Sequence, residues 1–229
     1  MTSATIRAVL FGGGGVTHGA DPELETFLMS CLRSVPRIGY IGTASSDDPE
    51  RLARVVHRFG NLGADVRHLP MRATAAEAAN WAGGLDAIYV GGGHTERMLR
   101  SWHETGIDAV LCAAARAGVV VSGVSAGAVC WFDQALWDGA GSGYRPLDGL
   151  GLFPGSCCPH FTTEPARADA YRRHIAEGKI SAGFAIGDGA GLALAANGAA
   201  SAIVVRPGSG VWRAERTGNG AQLTPLPPA

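Results

Sequence analysis

The chain has 229 residues, of which 46% are hydrophobic and 17% are charged, and its formal net charge is -1 at pH 7. A chain of this length can bury a full core without help from a metal ion or disulfides. Its balanced charge and the lack of a basic, aromatic-rich stretch argue against nucleic acid as a partner. No apolar run approaches the roughly 20 residues of a membrane helix, and the run at residues 8–11 is too short for a signal peptide. We expect one cytoplasmic domain over residues 1–229, a monomer or homodimer with no membrane partner.

The cysteines support the same compartment. They are Cys31, Cys112, Cys130, Cys157 and Cys158. Their odd number and the lack of CxxC pairs predict reduced thiols rather than disulfides or a zinc site. Cys157 and Cys158 are adjacent, and neighbours in sequence rarely reach good disulfide geometry. We expect this pair to pack in the core rather than to act as a redox element.

Short apolar runs alternate with longer amphipathic ones up to about residue 133, which is typical of βαβ units around a parallel sheet. Strands are predicted at residues 8–11, 38–41, 66–69, 87–90, 119–123 and 157–161. Helices are predicted at residues 49–59, 95–102, 107–117, 126–132 and 166–177. Ser46, Asp47 and Asp48 precede Pro49, which is the composition of a capped helix start.

The pattern changes after a glycine-rich connection at residues 139–143. From residue 190 the apolar runs shorten, and Asn197-Gly198 and Asn219-Gly220 predict tight hairpin turns. We therefore expect an antiparallel carboxy-terminal segment that covers an edge of the parallel sheet. The predicted fold class is α/β, a three-layer sandwich around a mostly parallel sheet with antiparallel C-terminal hairpins.

A candidate nucleophile lies in the sequence Gly123-Val124-Ser125-Ala126-Gly127, which matches GxSxG between a predicted strand and a predicted helix. A serine on such a sharp turn is held in a strained conformation that only small neighbours permit, and its hydroxyl projects from the end of the sheet. The same turn directs the amide of Ala126 toward the oxygen that becomes negative in a tetrahedral intermediate. We predict that Ser125 is the nucleophile; the alternative is a tight turn with an inert serine.

Serine becomes a good nucleophile only when a base takes its proton, so a histidine is required. His160 follows a predicted strand in Cys158-Pro159-His160-Phe161, where proline fixes the local backbone. The other histidines lie in helices, loops or an early strand: His18, His57, His68, His94, His103 and His174. We predict that His160 is the base.

A carboxylate must hold the imidazole in the correct tautomer. The candidates are Asp133, Asp138, Asp148 and Glu164. Asp138 lies in the loop between the nucleophile helix and the histidine strand, from which a carboxylate can turn back toward the site. We therefore predict that Asp138 is the third member of a catalytic triad.

A second oxyanion donor is expected from Gly91-Gly92-Gly93, which follows the strand ending at Val90. Glycine lets a backbone amide approach a substrate carbonyl without a side chain in the way, and the amide of Gly92 is the predicted donor. This segment lacks the GxGxxG spacing and the Lys-Ser/Thr of phosphate-binding loops. The glycines at residues 12–15 predict a close-approach turn beside the site rather than a nucleotide fingerprint.

Three motifs in this order resemble the peptidase E family, the serine dipeptidases of the class I glutamine-amidotransferase-like fold that also includes cyanophycinase. Residues 89–95 resemble the family's GGGNT loop, residues 123–128 its GxSAGA elbow and residues 159–161 its PHF histidine segment. Their order and spacing agree over nearly the whole chain. The resemblance indicates a peptidase E-like catalytic domain over residues 1–229.

The resemblance also implies functional roles. Ser125 would be the nucleophile and His160 the base, and Asp138 falls where the family's acid is expected. The implied activity is removal of an amino-terminal aspartate from short peptides in a compact site. It implies a small peptide as the partner, with no metal or organic cofactor.

The chain departs from the family pattern at His94, where asparagine is common, and in Trp131-Phe132-Asp133. An aspartyl pocket needs a cation for the β-carboxylate and an acid for the α-ammonium. Candidates for the cation are Arg145, Arg167, Arg172 and Arg173. Candidates for the acid are Glu164 and Asp188, and His94 is a further candidate contact. Each of these side chains is equally compatible with a solvated surface charge.

Two other functions stay open. One is a non-catalytic small-molecule-binding or regulatory domain of the same fold. The other is a related serine hydrolase with cyanophycinase-like or relaxed specificity. An amidotransferase or deglycase proper requires a cysteine at the elbow, where this chain has Ser125.

Overall fold

The computed structural model describes residues 5–218 and 220–229, in which thirteen strands form two sheets. The strands are β1 (Ile6–Phe11), β2 (Arg37–Ile41), β3 (Asp65–Leu69), β4 (Ala87–Val90), β5 (Val120–Val124), β6 (Phe132–Trp137), β7 (Arg145–Asp148), β8 (Phe153–Cys158), β9 (Gly183–Ile186), β10 (Ala190–Ala195), β11 (Ala200–Val204), β12 (Val211–Thr217) and β13 (Gly220–Pro225). The helices are α1 (Gly15–His18), α2 (Glu23–Ser30), α3 (Pro49–Asn61), α4 (Ala75–Ala82), α5 (Thr95–Thr105), α6 (Ile107–Arg116), α7 (Ala126–Val129) and α8 (Pro165–Glu177).

The first sheet has seven strands in the order β11-β10-β1-β5-β4-β2-β3. Strands β1 to β5 run parallel to one another, whereas β10 and β11 add an antiparallel edge next to β1. Every residue of β4 and β5 is buried, as expected for parallel strands covered on both faces. Because β1, β4 and β5 are neighbours and point the same way, the loops that follow them lie side by side at one edge.

The second sheet has six strands in the order β13-β12-β9-β8-β6-β7. Strands β6, β8 and β9 are parallel, and β7, β12 and β13 are antiparallel to their neighbours. Helix α8 packs on this sheet through Tyr171 and Ile175, which share a buried cluster with Leu136 and Cys158. The chain from β9 to β10 passes from the second sheet to the first.

A common core joins the two sheets. Val121 of the first sheet and Phe184 of the second belong to one buried cluster, together with Trp131 from the connection between the sheets and Phe132 at the start of β6. Each large apolar side chain of this kind contributes roughly 1.5–3 kcal/mol when it is buried. The relative position of the two sheets is therefore fixed by packing.

The structure confirms the α/β class, the five parallel strands and the start of α3. Asp48 caps α3 by accepting hydrogen bonds from the amides of Glu50 and Arg51, each at 3.0 Å. Cys157 and Cys158 are fully buried, which confirms that this pair packs in the core. All five cysteines are free. Burial raises the pKa of the thiols of Cys157 and Cys158.

Three elements differ from the predictions. The predicted helix at residues 126–132 ends at Val129, because Trp131 and Phe132 are drawn into the core and the chain continues as β6. The strand predicted at residues 157–161 is β8, which ends before the histidine segment. The second sheet was not predicted, since its strand pairs, such as β6 with β8 and β9 with β12, join segments that are far apart along the chain.

The carboxy-terminal hairpins divide between the sheets. The hairpin of β10 and β11 covers an edge of the first sheet, as predicted, and Gly198 in its turn has a φ of 83°. The hairpin of β12 and β13 instead extends the second sheet beside β9. The turn predicted at Asn219-Gly220 includes Asn219, which lies outside the described residues. Among the described helices, none combines the length and apolar character needed to cross a membrane.

Candidate active site

Ser125 lies on a strained turn between β5 and α7. Its backbone has φ 54° and ψ -115°, a conformation that costs a non-glycine residue about 1–3 kcal/mol. Its amide donates a hydrogen bond to the carbonyl of Phe11 at 3.0 Å, which ties the turn to β1. A Cβ atom at Gly123 or Gly127 would collide with the carbonyl oxygen of Val90. The GxSxG pattern therefore reflects how closely the turn packs against β4.

His160 follows β8 and contacts Ser125 directly. Its Nε2 lies 2.9 Å from the Ser125 Oγ, and its ring is 17% exposed. The backbone of His160 has a φ of 53°, and its amide donates to the carbonyl of Gly12 at 3.3 Å. The structure thus brings the two predicted residues together across the line where the two sheets meet.

Asp188 lies on the other side of the His160 ring. It follows β9, and its Oδ1 is 2.9 Å from the His160 Nδ1. Its second oxygen accepts a hydrogen bond from the hydroxyl of Thr163. A carboxylate can only accept here, so Nδ1 carries the proton and Nε2 is left to accept from the serine hydroxyl. Ser125, His160 and Asp188 have the geometry of a serine-hydrolase triad.

The surroundings of Asp188 favour its ionised form. Burial opposes ionisation, but hydrogen bonds from His160 and Thr163 and the nearby charges of His160 and Arg206 outweigh it, and the pKa of the Asp188 carboxyl lies below its ordinary value. Arg206 is itself held in place by a two-point ion pair with Asp21, with both N–O distances at 2.6 Å. The carboxylate that orients His160 is therefore charged at neutral pH.

The glycines at residues 12–15 make the close approach that the sequence predicted. A Cβ atom on Gly13 would collide with the carboxylate of Asp188 and would lie 2.6 Å from the His160 Nδ1. Gly13 also pairs with Asp188 in an isolated bridge, and the amide of Gly189 donates to its carbonyl at 3.0 Å. Only a glycine at this position leaves room for the contact between histidine and carboxylate.

The structure corrects the expectation that Asp138 contacts His160. Asp138 lies after β6, where one oxygen accepts the amide of Ala140 at 3.0 Å and the other is 3.9 Å from Arg167. Its side chain is 51% exposed. Sequence reasoning favoured Asp138 because it lies between the serine and the histidine along the chain, but the crossing from β9 to β10 brings Asp188 to the imidazole instead.

Asp188 had a sequence signal of its own. It stands between Gly187 and Gly189, directly after the apolar run at residues 183–186. A polar residue with glycines close by on both sides, at the end of a strand, is the kind of signal that identified Ser125. From the sequence, Asp188 was predicted only as a candidate partner for the α-ammonium group of a substrate. Its contact with His160 excludes that role.

The other candidate acids are engaged elsewhere. Asp133 accepts the amide of Gly155 at 2.9 Å, and Asp148 is exposed on β7. Glu164 accepts the guanidinium of Arg167 at 2.8 Å and the hydroxyl of Tyr144 at 3.1 Å.

The two predicted oxyanion donors lie beside Ser125. A Cβ atom built on Gly92 would be 3.4 Å from the Cβ of Ser125, and Ala126 is the next residue in the chain. In the part of the chain that the structure describes, neither amide donates a hydrogen bond to a protein acceptor. Two free amides next to a candidate nucleophile form the arrangement that stabilises a developing oxyanion.

A pocket of about 270 Å³ opens next to Ser125, and we call it the Ser125 pocket. Its lining residues are Gly93, His94, Thr95, Ser125, Val129, Leu136, Trp137, Asp138, Ala140, Pro159 and Arg167. Arg167 is nearly buried and donates to the carbonyl of Leu136 at 3.3 Å. The ring of His94 lies 5.7 Å from that of Trp137. The pocket thus contains one buried cation and one exposed carboxylate.

The remaining candidate cations lie outside the lining of this pocket. Arg145 stacks on Trp137 at 4.7 Å, and Arg172 stacks on Phe161 at 4.8 Å. Arg173 is exposed on α8. Of the four arginines that the sequence suggested for substrate binding, the structure places only Arg167 against the pocket.

Comparison with known proteins places the chain among peptidases. The sequence model of Peptidase family S51 matches residues 8–202. The uncharacterized peptidase YgaJ of Bacillus subtilis strain 168 is 34% identical over 224 residues, which are 96% of this chain and 97% of that protein. Peptidase E of Streptomyces coelicolor is 32% identical over 116 residues, which are 51% of this chain and 44% of that protein.

Solved structures share the fold. A peptidase from an acI-B1 Actinobacterium superposes with a TM-score of 0.73 at 16% identity, over 99% of this chain and 97% of that one. A provisionally assigned peptidase E protein from Listeria monocytogenes EGD-e superposes with a TM-score of 0.67 at 19% identity, over 89% of this chain and 100% of that one. At such identities the likeness bears on the fold alone.

Proposed function

The chain belongs to Peptidase family S51 and is a serine peptidase, and from this premise we propose that it is a dipeptidase that cleaves Asp-Xaa with Ser125, His160 and Asp188. The observation that carries the proposal is the unbroken set of contacts from the Ser125 Oγ through both ring nitrogens of His160 to Asp188. Such a set activates a hydroxyl that is otherwise a weak nucleophile.

In the first half of the reaction, the Ser125 Oγ attacks the scissile carbonyl carbon while the His160 Nε2 takes its proton. Asp188 holds the ring and stabilises the imidazolium that forms. The amides of Gly92 and Ala126 donate to the oxygen that becomes negative. His160 then gives its proton to the leaving nitrogen, the peptide C–N bond breaks, and an acyl-enzyme remains on Ser125.

In the second half, water replaces the leaving group. His160 takes a proton from the water, whose oxygen attacks the acyl carbon, and then returns the proton to the Ser125 Oγ as the ester bond breaks. The products are a free amino acid from each side of the scissile bond. No step requires a metal ion or an organic cofactor.

The Ser125 pocket suits one amino-terminal aspartate. Its volume is slightly below the about 300 Å³ that marks the small end of ligand pockets, which favours a single residue over an extended peptide. Arg167 is assigned to the substrate β-carboxylate, and Asp138 to the α-ammonium. Glu164 already balances part of the charge on Arg167, so the preference for aspartate depends on how the bound substrate shares that guanidinium.

The proposal extends to the partner of the protein, its cellular compartment and its oligomeric state. The partner is a small peptide rather than nucleic acid or a membrane, the compartment is the cytoplasm, and the protein is a monomer or a homodimer.

Substrate preference is tested with a panel of dipeptides that carry Asp, Glu, Asn, Gly or Leu at the amino terminus. The proposal predicts the highest kcat/KM for the Asp peptide. Similar values for all five would support relaxed or cyanophycinase-like specificity instead. A chain that cleaves none of them would support the non-catalytic binding domain.

The role of Arg167 is tested by Arg167→Lys, which keeps the charge but loses the planar fork. We expect this variant to lose selectivity for Asp over Asn peptides by about tenfold, chiefly through KM. An unchanged ratio of the two kcat/KM values would remove Arg167 from the pocket's recognition of aspartate.

A further inference from the structure

A wall of the active site outside the Ser125 pocket carries a histidine that is not part of the triad. His18 is exposed at the end of α1, and its Nδ1 lies 2.7 Å from the carbonyl oxygen of Gly14. Its ring stands edge-on to that of His160, with centroids 6.2 Å apart and planes at 86°. In the described chain, no protein group hydrogen-bonds to its Nε2. The ring is thus anchored on one side and free on the other.

Two arginines of α3 stand behind this histidine. Arg51 donates to the carbonyl of Gly92 at 3.0 Å, and Arg54 donates to the carbonyl of Thr17 at 3.3 Å. A Cβ atom built on Gly92 would lie 3.7 Å from the Cε1 of His18, so the three side chains lie around α1 and the loop that follows β4. We call His18, Arg51 and Arg54 the leaving-group wall.

The arginines of the leaving-group wall have two carboxylates nearby, Asp48 and Glu50, but among the described residues neither carboxylate forms a hydrogen bond with a guanidinium group of the wall. Within the described residues, neither His18 nor Arg51 forms an ion pair with a carboxylate side chain. Arg54 lies 3.9 Å from Glu50, whose side chain is 87% exposed, and so exposed a pair contributes little. Asp48 uses its carboxylate to cap the amides of α3. Guanidinium groups that form no short ion pair beside a peptidase site favour an anionic part of the substrate.

The geometry of a dipeptide places such an anion within reach. The leaving nitrogen must lie close to the His160 Nε2, which protonates it. The bonds N–Cα and Cα–C measure about 1.46 and 1.52 Å, so the carboxylate of a single leaving residue lies within about 4 Å of that nitrogen. The ring centroids of His18 and His160 are 6.2 Å apart, so a carboxylate held about 4 Å from a nitrogen at His160 can reach the His18 ring.

We propose that the leaving-group wall binds the free α-carboxylate of the residue that is released, with His18 as the direct donor and Arg54 and Arg51 as the supporting charges. In its imidazolium form, His18 donates from both ring nitrogens, one to Gly14 and one to the carboxylate. The wall then selects substrates that end one residue after the scissile bond. This inference rests on the proposed function and adds the chemistry of the second subsite to it.

A longer or amidated substrate lacks the anion at this place. In a tripeptide the carboxylate moves further along the chain by about 3.5 Å, and an uncharged amide stands opposite the cations. The restriction to dipeptides then arises from recognition of the negative charge on the released residue and not only from the size of the Ser125 pocket.

The experiment compares Asp-Leu with its carboxy-terminal amide, Asp-leucinamide, by product release measured with chromatography. We expect the wild-type enzyme to favour the free acid by about tenfold or more in kcat/KM, as for a hydrogen bond to a charged group. His18→Gln should bring the acid-to-amide ratio close to one. Arg54→Gln should lower the ratio by a smaller factor, because Arg54 acts from behind His18.

A matched control is His57→Gln, since His57 is an exposed histidine of α3 whose ring bonds to Asn61 at 3.0 Å. Its acid-to-amide ratio should equal that of the wild type. Equal kcat/KM for both substrates in the wild type would overturn the inference, as would an equal loss on both substrates in His18→Gln. Failure of the proposed function looks different: the Asp peptide would be cleaved no faster than the other four dipeptides of the panel, or none of the five would be cleaved.

Discussion

Two acidic loops flank the candidate active site, and they hold their carboxylates in different ways. Asp188 lies where the chain crosses between the sheets, is 12% exposed, and has a protein partner on each oxygen. Asp138 is 51% exposed and uses one oxygen to close its own turn. A carboxylate held on both oxygens can fix an imidazole in one orientation, whereas an exposed one can adjust to a ligand. The number of protein partners on each carboxylate thus distinguishes Asp188, which orients the imidazole, from Asp138, for which we propose a role in substrate binding.

The largest effect on activity is expected when the Ser125 hydroxyl, which lies between the two loops, is removed. Ser125→Ala should lower kcat by about 10⁵-fold or more, because the reaction loses its nucleophile. The melting temperature should change little, since among the described side chains the hydroxyl forms a hydrogen bond only with the His160 ring. Activity near that of the wild type in a sample shown free of contaminating peptidase would refute the role of Ser125.

The two loops are compared directly by Asp188→Asn and Asp138→Asn. Asp188→Asn should lose about 10⁴-fold in kcat, because an amide can stabilise the wrong tautomer of His160 and cannot balance the imidazolium. Asp138→Asn should act mainly on KM for dipeptides with a free amino terminus. Steady-state kinetics of both variants on one substrate give the answer. The reverse pattern, with Asp138→Asn losing kcat and Asp188→Asn keeping it, would return the orienting role to Asp138.

The site of Asp188 can also be disturbed without changing the carboxylate. Gly13→Ala places a methyl group against Asp188 and the His160 Nδ1, and we expect a loss of about 10²-fold in kcat as the pair is pushed apart. Gly60→Ala is the matched control, since nothing lies within 4 Å of a Cβ atom there. It lies inside α3, where alanine is favoured, and it should keep its activity and gain slightly in stability. Equal kinetics for the two variants would show that the fit around Gly13 is not needed.

A third carboxylate extends the comparison to full burial. Glu25 accepts the amide of Val16 at 2.9 Å, and burial, opposed by this hydrogen bond and by Arg58, raises its pKa from 4.5 to about 7. The folded chain therefore holds a proton on Glu25 between pH 4.5 and 7 that the unfolded chain releases. The free energy of unfolding should fall by about 3 kcal/mol as pH rises through that window and then level off.

Chemical denaturation of wild type and Glu25→Gln across pH 4 to 8 tests this change in the free energy of unfolding. Of the substitutions proposed here, Glu25→Gln should have the smallest effect on activity. The glutamine variant should lose most of the decline, because its side chain has no proton to release. Glu104→Gln, on the exposed face of α5, should keep the wild-type profile. A decline of equal size in Glu25→Gln would assign it to other groups.

Much of the site could be predicted because its signals are local. The glycines around Ser125 and the proline before His160 mark strand ends, and the carboxyl ends of neighbouring parallel strands meet at one edge. The free amides of Gly92 and Ala126 follow from the same reasoning. These parts required only the order of strands and the chemistry of turns.

The acid could not be predicted in this way, because its partner is chosen by tertiary structure. Asp188 reaches His160 only because β9 belongs to the second sheet and β10 to the first, and the pairing of strands in the second sheet was not predicted from the sequence. The early end of α7 has a similar cause: burial of Trp131 and Phe132 overrides the local preference for helix. Contacts between distant segments outweighed spacing along the chain in both cases.

The most direct test of the central claim is the rate at which a fluorophosphonate probe labels the protein, with the modified residue located by mass spectrometry. The account predicts rapid labelling on Ser125 in the native wild type, labelling at least about 10²-fold slower in His160→Ala and Asp188→Asn, and none after heat denaturation. Labelling of Ser125 at the same rate in all of these samples, or labelling of another residue, would contradict an activated serine at this turn.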